Sequence, residues 1–435
     1  MTTETRHMLD PTPSRASLAL LIGLHIITCC VSLIYLSYGY ANYQIYYDSA
    51  LLKGALIAVA AFSALAYLFL LTPFSFGYFV GFYFYTMTVG YLWLNCFSRF
   101  EYNHWLSGIS AAVSMIAFLL PALFMHRPIR RRFEMNVATF DRIVLLILAI
   151  GLATALLGAV YSFKIVSLSH MYDFRGAISM PRPLYYLIGI SSNALLPFAF
   201  AYYVVQSRYF PACFTLILLL LFYPITLNKI AFFTPAWLLA MAILTRLFGC
   251  RTTVVISLLL PLLIGTVSYA LLDQAARPLF EVINLRMVAT PSNAMDVYND
   301  FFFHHPYTYF CQIGAVKLLV SCPYQDPLGE VMKNAYEGFG SFNASLFSTE
   351  GIASVGPLLA PISILVCGLV IGFANRLAAG LCPRFVMISG SVLPHILLNV
   401  PLTITLLSHG AVFLFALWYL TPRAMFASRT DAIAV

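Results

Sequence analysis

The sequence predicts an all-α integral membrane protein, and two observations lead to that fold class: the composition and the length of the apolar stretches. Of the 435 residues, 61% are hydrophobic and 9% are charged, whereas about a quarter of the residues of a soluble domain are charged. The apolar stretches repeatedly reach roughly 18 residues, which suits a helix that crosses the hydrocarbon core of a bilayer. Strands are excluded because lipid satisfies no backbone hydrogen bonds and no alternating strand pattern of a membrane barrel is present.

About twelve apolar segments have the length of a transmembrane helix. They lie near residues 16–38, 51–72, 76–97, 105–125, 143–163, 184–206, 211–227, 231–247, 253–272, 352–375, 385–401 and 403–420. The first is too long for the apolar region of a signal peptide, so we expect it to be retained. The separation of 211–247 into two helices depends on Asn228 and Lys229, and that of 385–420 depends on Pro401.

The basic residues predict the orientation of the chain. With a cytoplasmic N-terminus, one side collects Arg6, Arg15, Arg127, Arg130, Arg131, Arg132, Arg142, Arg208, Arg246, Arg251, Arg376, Arg384, Arg423 and Arg429. The opposite short loops contain only Lys53, Arg99, Lys164, Arg175, Arg182 and Lys229. This bias follows the positive-inside rule and predicts that both termini are cytoplasmic. The chain has a net charge of +8, but its Lys and Arg residues form no basic stripe with interleaved aromatics. We therefore expect no nucleic-acid partner.

Residues 1–435 are expected to form a single polytopic membrane domain that carries one large loop, residues 273–350, between the ninth and tenth helices on the non-cytoplasmic side. Loops longer than about 15 residues are usually functional or disordered. This one is rich in Phe and Tyr, which argues against disorder and predicts that it folds over the helices. Cys311 and Cys322 lie within it and either form a disulfide or remain as thiols.

Several classes of reaction are disfavoured because the motifs that they require are absent from the sequence. No Walker loop, Gly-rich dinucleotide turn, Asp-x-Asp metal motif or Ser nucleophile elbow is present, and no Cys spacing resembles a zinc site. ATP-driven and nucleotide-sugar reactions are therefore disfavoured. Polar residues in or beside the membrane remain, and such residues are costly enough to indicate function.

One group of these residues lies in two short outer loops. Asp173 and Arg175 belong to a compact polar run, and they either pair with each other or contact a substrate. Lys229 stands between the seventh and eighth predicted helices. It is either a lysine that anchors the end of its helix at the membrane interface or a cation that binds an anionic substrate.

The second group belongs to the large loop. Its members are Arg277, Arg286, Tyr298, His304, His305, Asn343 and Glu350. Guanidinium groups bind phosphate in a bidentate manner, and an imidazole with a pKa of about 6.5 suits a general base. The alternative interpretation is that the charges are solvated and the adjacent histidines are structural.

Short motifs in a fixed order resemble a known family. They are Tyr172-Asp173-Phe174-Arg175, the lone Lys229, Leu285-Arg286-Met287 followed by Pro291, Tyr298, Phe301 and Pro306, and Asn343-Ala344-Ser345 with Glu350-Gly351 and Gly356. The set resembles O-antigen polymerases of the Wzy type, also called oligosaccharide repeat unit polymerases, over roughly residues 140–376. One departure is that the relatives usually flank the basic residue at Lys229 with Gly or Ser, whereas Asn228 and Ile230 flank it here.

The resemblance implies a bacterial inner-membrane glycosyltransferase of the GT-C-like class that joins undecaprenyl-diphosphate-linked oligosaccharides on the periplasmic face, without a metal or cofactor. Its implied partners are that lipid-linked substrate and membrane lipids, and a chain-length regulator is left open. Arg175, Arg286 and Lys229 would hold the diphosphate, and His304, His305 or Glu350 would act as the base or orient the acceptor. The implied substrate-binding set is completed by Asp173, Tyr298 and Asn343.

Three alternatives remain at this point. An O-antigen ligase has a similar topology and a large loop. A flippase or other secondary transporter has a similar number of helices, but usually shows two related halves with sites near the bilayer midplane, and no such halves are visible in the sequence. The third alternative, a scaffold without catalysis, is disfavoured by the clustered cations.

Overall fold

The computed structural model describes residues 14–40, 43–132, 135–167, 170–176, 178–336 and 349–426. Over these ranges the chain is helical, and extended pairing is limited to one antiparallel bridge between Ile45 and Ser98. In the same ranges, nine helices have the length and composition to cross a membrane. The protein is therefore a multi-pass α-helical membrane protein, as its composition predicts.

The helices up to residue 272 follow the predicted apolar segments. They are α1 (Arg15–Gly39), α2 (Leu52–Ser63), α3 (Ala66–Leu71), α4 (Phe76–Asn95), α5 (His104–Phe124), α6 (Val137–Tyr161), the short α7 (Met171–Arg175), α8 (Arg182–Ile190), α9 (Leu196–Val205), α10 (Tyr209–Thr226), α11 (Lys229–Leu247) and α12 (Cys250–Leu272). A π-helical turn, Ser191–Leu195, joins α8 to α9. The predicted break between α10 and α11 is present: Leu227 has a φ of +47°, and the Asn228 side chain accepts a hydrogen bond from the N–H of Ile230.

The helices after residue 272 depart further from the prediction. They are α13 (Arg277–Phe280), a π-helical segment (Glu281–Ala289), α14 (Thr290–His304), α15 (Leu328–Ala335), α16 (Thr349–Ala378), α17 (Pro383–Gly390), α18 (Leu393–Leu397), α19 (Leu402–Leu407) and α20 (Ala411–Leu420). The segments predicted as two continuous spans, 385–401 and 403–420, are divided among the last four helices. Pro401 precedes α19, and Gly410 with a φ of +77° precedes α20, so the helical hydrogen bonding is interrupted there.

The chain forms two compact units, and each contains segments that are distant in sequence. The first unit lies within Met1–Met125, Arg251–Gly372 and His395–Thr403. The second unit lies within His126–Cys250, Phe373–Pro394 and Ile404–Val435.

Helix α4 is the centre of the first unit. It packs against α1, α2, α5 and α14, and every residue from Phe76 to Leu94 is buried. The helix is rich in Phe and Tyr, and those side chains contact protein instead of lipid. Burial on all sides explains how a helix with so many tyrosines is accommodated in a membrane protein.

The first part of the predicted large loop is helical and lies inside the first unit. Arg277 to His304 runs as one continuous helical stretch through α13, the π-helical segment and α14. Asn284 donates a hydrogen bond to the carbonyl of Leu262 at 2.9 Å, and Ser292 donates to the carbonyl of Met87 at 3.0 Å. These contacts lie about three turns inward from the end of α12 and about two turns inward from the end of α4. The stretch therefore crosses the unit beneath the helix ends.

The second unit is organised around α10, which packs against α6, α9 and α11, while α17 packs against α9. The π-helical turn between α8 and α9 contacts α20. Within this turn, Asn193 hydrogen-bonds to the ring of His409 at 2.9 Å. This polar contact fixes the register of the turn against the residues that precede α20.

Candidate functional site

Three tyrosines of the connection between α1 and α2 each lie beside an arginine from another segment of the first unit. The guanidinium of Arg277 lies over the ring of Tyr40, and that of Arg99 lies over the ring of Tyr46. The positive charge of Arg286 interacts electrostatically with Tyr43. We call this set the arginine–tyrosine cluster, and its members are Tyr40, Tyr43, Tyr46, Arg99, Arg277 and Arg286.

Arg99 is positioned by its backbone as well as by its side chain. The N–H of Arg99 donates to the carbonyl of Gln44 at 3.2 Å, and the N–H of Tyr46 donates to the carbonyl of Phe97 at 3.1 Å. These bonds flank the bridge that joins the two connections. They hold the guanidinium carbon of Arg99 3.7 Å from the ring centroid of Tyr46, a cation–π distance. The Arg99 side chain is exposed, so its polar edge is accessible.

Arg277 differs because it already has an acidic partner. Its Nε donates to the Glu281 carboxylate at 3.0 Å, and the Tyr40 hydroxyl donates to the same carboxylate oxygen at 3.1 Å. The guanidinium lies 5.0 Å from the Tyr40 ring centroid. This arginine therefore has a structural role, because it fixes the start of the π-helical segment on the end of α1.

Arg286 lies on the π-helical segment and is exposed. Burial raises the pKa of the Tyr43 hydroxyl, while a hydrogen bond with Thr290 and the positive charge of Arg286 oppose that rise. The sequence-predicted phosphate ligand Arg286 is thus close to Tyr43. An exposed guanidinium at this position can bind an anionic group.

A buried network lies on the α14 side of the first unit. The Asp296 side chain is fully buried and accepts a hydrogen bond from the Tyr102 hydroxyl. That hydroxyl also lies 2.8 Å from the side-chain oxygen of Asn95 and 3.2 Å from the hydroxyl of Tyr91. Burial raises the pKa of Tyr102, and the Asp296 carboxylate adds to the rise. Tyr102 therefore stays protonated and remains a donor to the carboxylate.

Asp300, one turn after Asp296, joins three segments. One carboxylate oxygen accepts the N–H of Glu101 at 3.0 Å, and the other accepts the Tyr336 hydroxyl at 2.5 Å. Burial raises the pKa of that hydroxyl, and its hydrogen bond to Asp300 adds to the rise. The residue after α15 and the connection after α4 are therefore both attached to α14.

The two predicted base candidates, His304 and His305, are exposed at the end of α14. The Nδ1 atom of His304 lies 3.1 Å from the carbonyl of Asp300, and that of His305 lies 2.9 Å from the carbonyl of Phe301. A carbonyl accepts only, so each Nδ1 carries the proton and each Nε2 has a lone pair. The His305 ring also stacks flat on Phe301, with centroids 4.0 Å apart. Both rings can therefore accept a proton at Nε2.

The chain after His305 returns to the start of α16. The N–H of Thr308 donates to the carbonyl of Ala353 at 2.8 Å, and the N–H of Tyr309 donates to the carbonyl of Ser354 at 3.1 Å. Beyond this attachment, Cys311 and Cys322 form a disulfide with Cα atoms 5.2 Å apart. Of the two alternatives that the sequence leaves open, the structure contains the disulfide.

Glu350 lies in the first turn of α16, and its carboxylate accepts the backbone N–H of Leu402. Its charge acts on the phenol of Tyr298, which is fully buried on α14. The two predicted site residues are therefore neighbours within the first unit. The hydrogen bond to Leu402 and the burial of Tyr298 favour a structural contribution from this pair.

Three predicted site residues, Asp173, Arg175 and Lys229, belong to the second unit. Asp173 pairs with His170 at 3.3 Å, so its described ion-pair partner is not Arg175. Arg175 is exposed at the end of α7, and Lys229 is partly buried as the first residue of α11. Asn343 lies outside the described residues.

Sequence reasoning placed Arg286, Tyr298, His304, His305 and Glu350 in one loop, and the structure places them in one unit, on α13–α14 and at the start of α16. The prediction from sequence did not include the other residues of the site, which are Arg99, Tyr43, Tyr46, Tyr102 and Asp296. One available signal was the regular spacing of Tyr40, Tyr43 and Tyr46. The other was that Arg99 is the only arginine between α4 and α5.

In the described part of the chain, no three His, Cys, Asp or Glu side chains are grouped closely enough to hold a metal ion. No protein-family model, curated protein or solved structure matches this sequence or fold. The fold and the site thus define a multi-pass α-helical membrane protein with an arginine–tyrosine cluster.

Proposed function

We propose that this protein is an O-antigen polymerase of the Wzy type, a membrane glycosyltransferase that transfers a growing glycan from undecaprenyl diphosphate to a lipid-linked acceptor repeat unit. The observation that carries the proposal is the pair of exposed guanidiniums, Arg99 and Arg286, beside Tyr46 and Tyr43 at the end of α1. A lipid diphosphate presents its charge at the membrane boundary, next to a sugar. Two exposed guanidiniums suit the charged part of such a ligand.

The reaction has clear chemical requirements. The bond between the anomeric carbon and the phosphate oxygen breaks, a bond from that carbon to an acceptor hydroxyl oxygen forms, and the hydroxyl proton passes to a base. The diphosphate leaves with the electron pair of the broken bond, so positive charge at that position stabilises the transition state. Arg99 and Arg286 supply that charge in the proposal.

The base is assigned to His304 or His305. Each ring donates from Nδ1 to a carbonyl of its own helix, which leaves Nε2 ready to take the proton of the acceptor hydroxyl. Both are exposed. Glu350 is less suited because its carboxylate already accepts the N–H of Leu402.

The proposed orientation puts both termini in the cytoplasm and the arginine–tyrosine cluster on the periplasmic face of a bacterial inner membrane. The positive-inside rule supports it. In the first unit, Arg251 at the start of α12 points towards the carbonyls of Leu70 and Thr72, whereas Tyr269 near the end of α12 touches Gly39. Arg251 thus lies at the opposite helix ends from the cluster.

The test is a surface-glycan ladder, resolved by gel from a deletion strain that carries the wild type or Arg286→Ala. The matched control is Arg130→Ala, an exposed arginine of the second unit on the predicted cytoplasmic side. We expect long chains with the wild type and the control, and single repeat units with Arg286→Ala at equal membrane abundance. Undiminished long chains with Arg286→Ala would remove this arginine from the site.

The same gel separates the competing functions. Loss of a polymerase leaves single repeat units attached to the lipid A core, because ligation continues without extension. Loss of an O-antigen ligase or of a flippase leaves bare core without repeat units. Bare core in the deletion strain would contradict the polymerase proposal.

A further inference from the structure

The segment closed by the Cys311–Cys322 disulfide has an apolar tip. Leu318 and Leu319 are each 87% exposed, and Lys317 precedes them in the short 3₁₀ helix Val316–Leu318. The start of the segment is not exposed in this way, since Cys311 is fully buried. Two adjacent leucines fully exposed to water are unfavourable, so their surroundings need an explanation.

The attachment of this segment places it near the level of the membrane surface. The backbone N–H groups of Thr308 and Tyr309 donate hydrogen bonds to the carbonyls of Ala353 and Ser354, which lie in the first turns of α16. The backbone of α16 is non-helical at Gly356, and the helical part that follows, residues 357–378, spans about 33 Å at 1.5 Å per residue, which is close to the thickness of a hydrocarbon core. Its strongly exposed apolar residues begin with Leu358, which is 72% exposed. The attachment point, Ala353 and Ser354, therefore lies just before the kink at Gly356 and four to five residues before Leu358.

We propose that the tip of the disulfide-closed segment, Lys317 to Leu319, inserts into the interfacial region of the phospholipid bilayer around the protein. Leu318 and Leu319 then contact acyl chains, and the Lys317 ammonium reaches the phosphate groups of anionic lipids. The disulfide and the bonds to α16 fix the segment beforehand, so little conformational entropy is lost on insertion.

The charge pattern favours lipid over a protein partner. A lysine adjacent to two exposed leucines matches the layered bilayer interface, where phosphate lies immediately above hydrocarbon. The neighbouring helix α15 shows the contrasting pattern, since its exposed residues include Glu330, Lys333 and Asn334. Helix α15 thus presents a polar face to water in the same region of the chain.

The test is photocrosslinking of the full-length protein in cell membranes, with p-benzoylphenylalanine in place of Leu318. The matched control carries the same group in place of Asn334, which is exposed on the polar face of α15. After irradiation and purification, mass spectrometry measures phospholipid adducts on the peptides. We expect at least a five-fold excess of phospholipid adducts at 318 over 334. No excess, or adducts at 318 only with another protein or a second copy of the chain, would overturn the proposal.

A second variant separates insertion from random collision with lipid. Leu319→Asp is combined with the crosslinker at 318; the substitution lies on an exposed tip, so folding is preserved. A charged residue resists the acyl region, and we expect the phospholipid adducts to fall to less than half. Adducts that stay at the original level would mean that the tip does not insert, again overturning the proposal.

Discussion

The guanidinium of Arg99 lies over the ring of Tyr46, with 3.7 Å between its central carbon and the ring centroid. The two residues are held together by backbone hydrogen bonds between their connections, so the contact does not depend on side-chain conformation alone. The same connection supplies the partners of Arg277 and Arg286. One short stretch after α1 therefore contacts three arginines from two parts of the first unit: Arg99 from the connection between α4 and α5, and Arg277 and Arg286 from the helical stretch that begins at Arg277.

Replacing Arg99 by alanine tests whether this contact serves the proposed reaction. A hydrogen bond to a charged group contributes about 1.5–3 kcal/mol, and about 1.4 kcal/mol corresponds to a tenfold change. Arg99→Ala is therefore expected to lower the rate of chain extension roughly 10- to 100-fold. Purified protein in liposomes with lipid-linked repeat units provides the measurement.

Two further variants make that result specific. Arg99→Lys keeps the charge but loses the planar two-point contact with phosphate, so we expect an intermediate rate. Arg130→Ala, which removes an exposed arginine from the second unit, should match the wild type. Full activity of Arg99→Ala would show that the Arg99–Tyr46 contact is only structural.

The helical segments up to residue 272 follow from apolar length alone, because a membrane demands about 20 apolar residues per crossing. The same rule fails near the C-terminus, where the apolar stretches 385–401 and 403–420 are long enough but contain Pro401 and Gly410. These residues interrupt helical hydrogen bonding at points that an average over a window does not register. Local backbone chemistry overrides hydropathy there.

The site was only partly predictable for a different reason. Arg286, His304 and His305 could be identified because charged and titratable residues are conspicuous in a long segment between predicted transmembrane helices. Arg99 and Tyr46 could not be paired with them, because their approach depends on a bridge between two short connections. Asp296 escaped notice because its segment resembled a surface loop, whereas the structure buries it as a helix.

The bond from Tyr102 to Asp296 predicts a pH-dependent stability difference. Tyr102→Phe leaves the buried carboxylate without this donor, which costs about 1–3 kcal/mol near pH 8. Burial raises the pKa of Tyr102 above its usual value near 10. Above pH 10 the unfolded tyrosine releases its proton while the folded one keeps it, so the wild type loses stability as the pH rises. The difference between the two proteins should shrink from pH 8 to pH 11.

Thermal unfolding in detergent at several pH values measures this difference. Tyr67→Phe is the control, since that tyrosine is 60% exposed on α3, and its Tm should match the wild type at every pH. A Tm difference for Tyr102→Phe that is constant with pH would contradict a protonated, buried Tyr102.

The disulfide should stabilise the segment that it closes. For a ring of this size, removal of a crosslink costs about 3 kcal/mol through the entropy of the unfolded chain. The pair Cys311→Ser and Cys322→Ser, with a sequence separation of 11, is therefore expected to lower the Tm. Proteolysis within residues 312–321 should also become faster while the transmembrane helices stay resistant.

The matched control is Cys213→Ser, which replaces an exposed cysteine that is not disulfide-bonded. It should leave both the Tm and the proteolysis pattern unchanged. If the double serine variant behaves like this control, the disulfide does not contribute to the stability of the segment.

Gly356 occupies a backbone conformation that only glycine adopts easily. Its φ is +77° and its ψ is 171°, a region in which other residues cost about 1–3 kcal/mol. A Cβ at this position would also lie 2.6 Å from the hydroxyl oxygen of Tyr307. Gly356→Ala is therefore expected to lower the Tm, whereas Gly314→Ala, at a glycine with open space around it, should not.

A double variant decides which of the two causes dominates. Tyr307→Ala removes the ring that the new methyl group would meet but leaves the backbone angle as it is. Because the strain arises mainly from the positive φ, Tyr307→Ala combined with Gly356→Ala should remain destabilised relative to Tyr307→Ala alone by about 1–3 kcal/mol. Equal Tm values for these two proteins would show instead that the contact with Tyr307, and not the backbone, requires glycine at the start of α16.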